Sequence, residues 1–119
     1  MIGIDIIEIK RIKTALTRTP SFLEKAFTEY EREYYQKKGC KVQTLAGIFC
    51  AKEAFVKALK TGFVEINLKD IEIRHTSTGS PYLVFYNKAQ ELMQDMIAEI
   101  SISHSQNYAT AICLIKKRD

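Results

Sequence analysis

The segment 43–60, QTLAGIFCAKEAFVKALK, constrains the fold of this chain more than any other. Good helix formers dominate it, and Gly62 just beyond its end is a common helix stop signal. Its apolar side chains cover most of the helix circumference: Leu45, Ile48, Phe49, Phe55, Val56 and Leu59. A helix that is apolar nearly all round is buried. We therefore predict a long central helix around which the rest of the chain packs.

The length of 119 residues leaves room for a single domain spanning 1–119. Apolar residues make up 46% and charged residues 27%, as in ordinary globular proteins, which excludes collagen-like and disordered classes. No apolar run approaches the roughly 20 residues that span a bilayer, so we expect no membrane partner. The acidic residues of MIGIDIIEIKRIK argue against a secretory signal.

Three cysteines without a CxxC spacing predict neither a disulfide framework nor a zinc site. We expect them to be reduced and mostly buried in a cytoplasmic protein.

The remaining pattern predicts short strands and helices in an α+β order. Residues 2–9 are rich in isoleucine and predict a strand buried on both faces, while Thr28 and Glu31 form a capping box. The predicted strands are 2–9, 70–75, 82–86, 97–103 and 108–115, with a turn at 78–81. The predicted helices are 11–18, 28–38, 43–60 and 87–96, the last beginning at an Asn cap. We therefore expect a compact α+β domain.

Basic residues are concentrated near the N-terminus of a chain with a net charge of +4. Five cations are opposed there only by Glu24: Lys10, Arg11, Lys13, Arg18 and Lys25. Such a cluster attracts an anionic partner, whether nucleic acid, lipid, phosphate ligand or acidic protein. A solvated helix face is the alternative.

Asp5 is the first candidate for chemistry, because a carboxylate among isoleucines is costly unless it is paired or bound to a cation. Gly3 beside it permits a close approach to the backbone. A strand end that reaches water is the alternative.

Glu53 and Lys57 are the second candidate. They share one stripe of the long helix with the small residues Ala46 and Cys50, which leave room for a strand or a ligand. An ordinary salt bridge between residues i and i+4 is the alternative.

The third candidate is 101–105, SISHS, where three hydroxyls and His104 offer neutral donors to phosphate oxygens. A polar strand end is the alternative. The chain has no GxSxG, Walker loop, GxGxxG or HExxH motif, and His75 has no partner that the sequence identifies.

Together these candidates predict phosphate chemistry at a metal. Asp5 and Glu53 are hard oxygen ligands of the kind Mg²⁺ takes, since that ion fills the rest of its coordination sphere with water and substrate phosphates. Lys57 would supply a counter-charge, and Ser103, His104 and Ser105 would add phosphate donors.

The segments GIDIIEIKRI (3–12), AGIFCAKEAFVKAL (46–59) and ISISHS (100–105) resemble those of the holo-acyl-carrier-protein synthases, the small 4′-phosphopantetheinyl transferases. The length, the TGSPY turn at 78–82 and the YATAICLI ending also fit. The resemblance implies that family's fold and transfer of 4′-phosphopantetheine from coenzyme A to a serine of apo-acyl carrier protein, with release of adenosine 3′,5′-bisphosphate.

Residue by residue, the resemblance implies that Asp5 and Glu53 bind Mg²⁺ and that Lys57 lies at the coenzyme A phosphates. Gly79 and Pro81 match a turn near the adenine, and His104 matches a nucleotide-contacting histidine. The attacking serine would lose its proton to Glu53 or to a water on the ion, an alternative that the sequence leaves open.

The resemblance also implies partners. Arg11 and Arg18, with Phe22 as an apolar anchor, match positions that grip an acidic carrier protein. It further implies a homotrimer with sites between subunits, and no nucleic-acid partner.

Two positions depart from the family pattern: Ile48 stands where an arginine is usual, and Lys60 where glycine is usual. Whether Lys60, Lys41 or another residue replaces the arginine is open from sequence. The alternative functions are a small basic nucleic-acid-binding module, which leaves Asp5 and Glu53 without a role, and another magnesium-dependent phosphotransferase on the same fold.

Overall fold

The computed structural model describes residues 1–60 and 66–119, so the predicted stop residue Gly62 lies outside the described residues. The strands are β1 (Ile2–Glu8), β2 (Ile71–His75), β3 (Pro81–Phe85), β4 (Met96–His104) and β5 (Tyr108–Lys117). The helices are α1 (Ile9–Arg18), α2 (Phe22–Ala26), α3 (Glu29–Lys37), α4 (Val42–Leu59) and α5 (Asn87–Leu92), with a 3-10 turn at Leu68–Asp70.

Helix α4 is the centre of the molecule, as its apolar circumference predicts. It lies across an antiparallel sheet in the order β1-β5-β4, while β2 and β3 form a separate antiparallel hairpin. Eleven of its eighteen residues are buried. The predicted α+β fold, an antiparallel sheet on one long helix, is therefore confirmed. No helix in the described ranges is long and apolar enough to cross a membrane.

Gly3 permits the close approach that the sequence predicts, and the partner is helix α4. A Cβ atom at Gly3 would overlap the Ala54 carbonyl oxygen and the Ala58 backbone nitrogen. The small residues Ala109 and Ala111 of β5 are likewise buried on the helix-facing side of the sheet. The backbone of β1 therefore comes close enough to α4 for side chains of the two elements to meet.

The prediction that β1 is buried on both faces is wrong for the single chain. Ile2, Ile4 and Ile6 are 58%, 63% and 66% exposed, because α4 covers only the opposite face. Partly exposed apolar residues of β4 and β5 share this outer sheet face: Ile97, Tyr108, Ile112 and Leu114. Glu99, Ser101 and Ser103 lie on the same side as Ile97, and Ala98, Ile100 and Ile102 on the other.

The predicted capping box at the start of α3 is confirmed and anchors a buried ion pair. Thr28 Oγ1 accepts from the Glu31 backbone, and Glu31 Oε1 accepts from the Thr28 backbone. The same Glu31 oxygen lies 2.7 Å from Lys52 Nζ, and both side chains are fully buried. Because Lys52 also donates to the carbonyls of Ala26 and Leu68, this pair joins α2, α3 and the 3-10 turn to α4.

The predicted Asn cap of the helix at 87–96 is wrong. Helix α5 ends at Leu92, and Asn87 is its first residue, with a φ of 53°. Its side-chain amide donates to Asp70 Oδ1 at 2.9 Å instead of capping the helix. The residues that follow enter β4 at Met96, one position before the predicted strand.

Candidate functional site

Asp5 lies on the helix-facing side of β1, at the centre of a polar cluster. Its row in the sheet continues through Ala111 of β5 to Ile102 of β4. Asp5 Oδ1 accepts from Lys57 Nζ at 2.8 Å, and Oδ2 accepts from Cys50 Sγ at 3.4 Å. The carboxylate is thus anchored to α4 while 15% of it stays exposed.

Lys57 forms an ion pair with Asp5 of β1. Among the described residues no ion pair joins Lys57 to Glu53, so the alternative interpretation, an ordinary i, i+4 salt bridge, does not describe this lysine. The lysine side chain is 55% exposed, whereas that of Asp5 is mostly covered. The hydrogen bond to Asp5 is the largest cause that raises the pKa of Lys57, and the negative charges of Asp5 and Glu53 add to it, while burial opposes the increase. Lys57 therefore places a persistent positive charge at the mouth of the cluster.

Glu53 faces the same cluster through its carboxylate. Within residues 1–60 and 66–119, no hydrogen-bond donor reaches its side chain. Burial and then the negative charge of Asp5 raise the pKa of Glu53, and Lys57 only partly opposes them. Two neighbouring carboxylates of which one lacks a counter-charge are the arrangement that a cation stabilises.

Cys50 occupies the floor of the cluster. Burial, and secondarily the charge of Asp5, raises the pKa of its thiol to about 12. Its thiol also donates to the Ala109 carbonyl at 3.6 Å, and it is buried. Cys50 is therefore a neutral donor that orients Asp5, a role that sequence reasoning did not assign.

A pocket of about 330 Å³ opens beside these carboxylates, and we name it the Asp5 pocket. Its described lining residues are Asp5, Ile6, Ile7, Arg11, Ile12, Ala15, Phe22, Phe49 and Glu53. The structure thus brings Arg11 and Phe22, two predicted partner-binding residues, to the same cavity as the two predicted metal ligands.

The donor set of the Asp5 pocket fits a magnesium ion that shares its coordination with a substrate. No cluster of three or more His, Cys, Asp or Glu side chains capable of holding a metal occurs among the described residues. Asp5 and Glu53 supply two hard oxygen ligands on rigid elements, and Mg²⁺ typically takes one or two protein carboxylates with water and phosphate oxygens. The pair therefore suits an ion that enters with a phosphate.

A second pocket, of about 240 Å³, contains three further predicted site residues, and we name it the hairpin pocket. Gly79, Pro81 and His104 lie there together, the glycine at a φ of +89° that an L side chain rarely adopts. Its other described lining residues are Tyr34, Lys38, Gln43, Thr44, Gly47, Ile48, His75 and Ile102. The turn between β2 and β3 therefore faces the end of β4 across the first turns of α4.

The two pockets lie on different flanks of α4 and share none of the described lining residues. Gly47 passes directly over Ile102 of β4, whereas Cys50 and Ala54 contact β1. The helix thus separates the carboxylates from His104 within one chain.

Ser103 and Ser105 do not join His104 in the hairpin pocket. Ser103 is paired with Thr110 and lies on the outer sheet face, because alternate residues of a strand point in opposite directions. Ser105 Oγ accepts from the Tyr108 backbone at 3.3 Å and stabilises the β4–β5 turn. In the single chain neither serine lies beside the other predicted phosphate donors.

Arg18, the third predicted partner-binding residue, lies about two turns after Arg11 on the same side of α1 but lines a different cavity. It lines a groove of about 900 Å³ with Lys10 and Lys13, closed on the far side by the β4–β5 turn. The groove continues around α1 from the side occupied by Arg11, so the basic residues form a band around the exposed half of this helix.

The family relationship that the motifs suggest extends over nearly the whole chain. Residues 1–113 match the family model of the 4′-phosphopantetheinyl transferase superfamily. The chain therefore belongs to this superfamily.

Within the superfamily, the chain is most readily compared with the holo-[acyl-carrier-protein] synthases. It is 45% identical over 118 residues to the one from Fusobacterium nucleatum subsp. nucleatum, covering 96% of each chain. It is 48% identical over 113 residues to that of Alkaliphilus metalliredigens, covering 92% of this chain and 93% of the relative. These proteins match nearly end to end.

Solved structures share the fold over the same extent. The Helicobacter pylori holo-[acyl-carrier-protein] synthase in complex with coenzyme A superposes with a TM-score of 0.87 at 30% identity, covering 98% of this chain and all of that one. A Bacillus anthracis synthase in complex with CoA (3′,5′-ADP) has a TM-score of 0.81 at 37% identity, covering 99% and 96%.

Proposed function

We propose that this protein transfers the 4′-phosphopantetheine group from coenzyme A to a serine of an apo-acyl carrier protein and releases adenosine 3′,5′-bisphosphate. The observation that carries the proposal is the meeting of Asp5 and Glu53 at one pocket, with Lys57 bound to Asp5 at 2.8 Å. Similarity over the whole chain to synthases bound to coenzyme A supports the same substrate.

Asp5 and Glu53 are proposed to hold Mg²⁺. When bound there, the ion would neutralise and polarise the coenzyme A pyrophosphate. The protein contributes rigidity, because Asp5 is fixed by Cys50 and by the sheet, and Glu53 projects from the central helix. Neither carboxylate needs a backbone movement to meet a ligand in the Asp5 pocket.

Lys57 is proposed to stabilise the negative charge that accumulates on the leaving phosphate. Its raised pKa keeps it protonated at neutral pH, and its exposed ammonium lies at the mouth of the cluster. Such a fixed charge is worth most where charge develops in the transition state.

Glu53 is also the protein group best suited to take the proton of the attacking serine. A carboxylate whose pKa is raised by burial and by Asp5 is a stronger base than an exposed glutamate. The bond that forms joins the serine oxygen to the β-phosphorus, and the bond that breaks joins that phosphorus to the oxygen bridging the two phosphates.

The carrier protein is proposed to dock on α1 and α2. Arg11 and Phe22 line the Asp5 pocket, so a carrier held by them would present its serine directly to the carboxylates. Arg18, Lys10 and Lys13 extend the basic surface along the same helix. Long-range attraction by such a band accelerates encounter with an acidic protein.

A homotrimer is proposed as the working form. The outer sheet face exposes Ile2, Ile4 and Ile6, which is unusual for a soluble monomer. Assembly through this face would cover these isoleucines. Because α4 separates the hairpin pocket from the Asp5 pocket within one chain, the two pockets could act on one substrate only if they came from different subunits. Sedimentation should show a trimer that Ile4→Lys dissociates, whereas a monomeric parent protein would contradict this assembly.

Mass spectrometry of an apo-acyl carrier protein tests the function. Incubation with coenzyme A and Mg²⁺ should add the mass of phosphopantetheine, and Asp5→Ala and Glu53→Ala should abolish the addition. Glu33→Ala, at an exposed position of α3, is the matched control and should retain full activity. No mass addition by the parent protein, or full activity of both site variants, would overturn the proposal.

A further inference from the structure

The hairpin pocket carries only positive or neutral side chains. Lys38, His75 and His104 are its titratable groups besides the Tyr34 phenol, and none of its described lining residues is a carboxylate. A cavity with this balance favours an anion. The first turn of α4 contributes Gln43 and Thr44 to the same wall, and the amino-terminal end of a helix dipole also favours negative charge.

Lys38 is held at this pocket by an aromatic stack. Its Nζ atom lies 5.5 Å from the centroid of the Tyr34 ring, within the range of a cation–π interaction. Tyr34 in turn stacks on His75, with centroids 4.0 Å apart and rings parallel to within 1°. Tyr34 lies on α3 and His75 on β2, so two separate elements fix the position of the aromatic stack that the lysine contacts.

His75 contributes an uncharged imidazole ring to this stack. Burial, with a smaller contribution from the positive charge of Lys38, lowers the pKa of its imidazole. Its Nδ1 atom is buried and has no hydrogen-bond partner among the described residues. The ring is therefore fixed chiefly by its contact with Tyr34, and it adds no second positive charge to compete with the lysine.

With isoleucine at position 48, Lys38 is the one lysine or arginine among the described lining residues of the hairpin pocket. Ile48 lines the cavity and is 1% exposed, so it supplies an apolar wall where the family resemblance predicts an arginine. Lys60 lies twelve residues further along the chain, about 18 Å away at the rise of an α-helix. Within the described ranges, neither Lys60 nor Lys41 lines the hairpin pocket.

We propose that Lys38, seated on the Tyr34–His75 stack, binds the 3′-phosphate of coenzyme A and supplies the positive charge that Ile48 does not. This inference rests on the proposed function, since it assigns a specificity residue to the same substrate. The 3′-phosphate is the group that distinguishes coenzyme A from 3′-dephospho-coenzyme A. Lys38 is thus a specificity determinant, remote from the bonds that form and break.

Steady-state kinetics with the two donors test the assignment. In Lys38→Gln, the KM for coenzyme A should rise about tenfold, the range expected for loss of a charge-assisted contact at a partly exposed site. The KM for 3′-dephospho-coenzyme A and kcat should stay nearly constant. Lys37→Gln, one residue earlier and exposed, is the matched control and should change neither donor.

Calorimetric binding gives a readout that does not need catalysis. Lys38→Gln should weaken the binding of adenosine 3′,5′-bisphosphate and leave that of 5′-AMP unchanged, and Tyr34→Leu should cause part of the same loss. If Lys38→Gln affects both donors equally, or neither, the assignment is wrong. A parent protein that binds the bisphosphate through Lys38 but transfers nothing would instead overturn the proposed function alone.

Discussion

The ammonium of Lys57 lies 2.8 Å from Asp5 Oδ1, while Glu53, one turn earlier on the same helix, faces the cluster without a donor of its own among the described residues. The site therefore holds one balanced and one unbalanced carboxylate. An entering cation would satisfy Glu53 and share Asp5 with the lysine. This imbalance makes the stability of the protein sensitive to Glu53.

Glu53→Gln should stabilise the protein at neutral pH. The folded-state pKa of Glu53 is raised, so the folded protein binds this proton more tightly than the unfolded chain does. Stability therefore falls as pH rises from the unfolded value through the folded one, and the charged glutamate is a cost above both. The gain should stay below about 1 kcal/mol because the side chain is only half-buried.

Thermal unfolding with and without Mg²⁺ measures this effect. The gain from Glu53→Gln should vanish near pH 3, where the glutamate is largely protonated in both states. Mg²⁺ should raise the Tm of the parent protein and leave that of the variant almost unchanged. A variant that is less stable than the parent at pH 7 would contradict this description of the site.

Lys52→Met should destabilise the fold strongly. Lys52 and Glu31 are both fully buried, and removal of the lysine leaves a carboxylate without its counter-charge. Such a change costs about 3–5 kcal/mol. Urea denaturation should show this loss, with Lys37→Met at an exposed site as a control, and the double variant Glu31→Met/Lys52→Met should lose less than the sum of the two single variants. A loss below about 1 kcal/mol for Lys52→Met would show that the pair is dispensable.

The three thiols should differ in reactivity at pH 8. Cys50 and Cys113 are buried, and burial raises the pKa of each to about 12, whereas Cys40 is exposed. Since the thiolate is the reactive form, an aromatic disulfide reagent should label one thiol per native chain and all three after denaturation. Cys40→Ser should abolish the rapid native reaction, and rapid labelling of Cys50 would contradict its place beneath Asp5.

Reversing the charge of Arg11 and Arg18 should weaken the carrier interaction selectively. Arg11→Glu/Arg18→Glu should raise the apparent KM for an acidic carrier at least tenfold at low salt, because rim charges chiefly affect encounter. The affinity for coenzyme A should change little. Arg118→Glu, at the exposed C-terminus, is the control. Unaltered carrier kinetics would remove both arginines from the interface.

Local sequence patterns predict most of the helices and strands, because these elements depend mainly on residues that are close together in the chain. The capping box at Thr28 and the apolar circumference of α4 depend on residues that are near one another in the chain, and both are confirmed. The prediction of a doubly buried β1 is wrong for the single chain because an isoleucine run does not reveal whether its second face meets the same chain or another one.

The site is only partly visible from sequence for the same reason. The meeting of Asp5 with Glu53 and Lys57 can be inferred from the sequence. Charged side chains on a buried strand and on a buried helix are costly unless they have one another or a ligand as partners. The buried Lys52 was missed, although it lies on the apolar stripe between Ile48 and Phe55, a position where a lysine requires a buried partner. The contact between Tyr34 and His75 joins distant segments, and no local pattern indicates it.

The central claim is that Asp5 and Glu53 together hold one divalent ion at the phosphates of coenzyme A. Crystals grown with coenzyme A and Mn²⁺ test it through anomalous scattering from the metal. One strong peak should appear within coordination distance of both carboxylates, and it should be lost in Glu53→Gln. An ion bound elsewhere, or no ion between these two side chains while coenzyme A is bound, would contradict it.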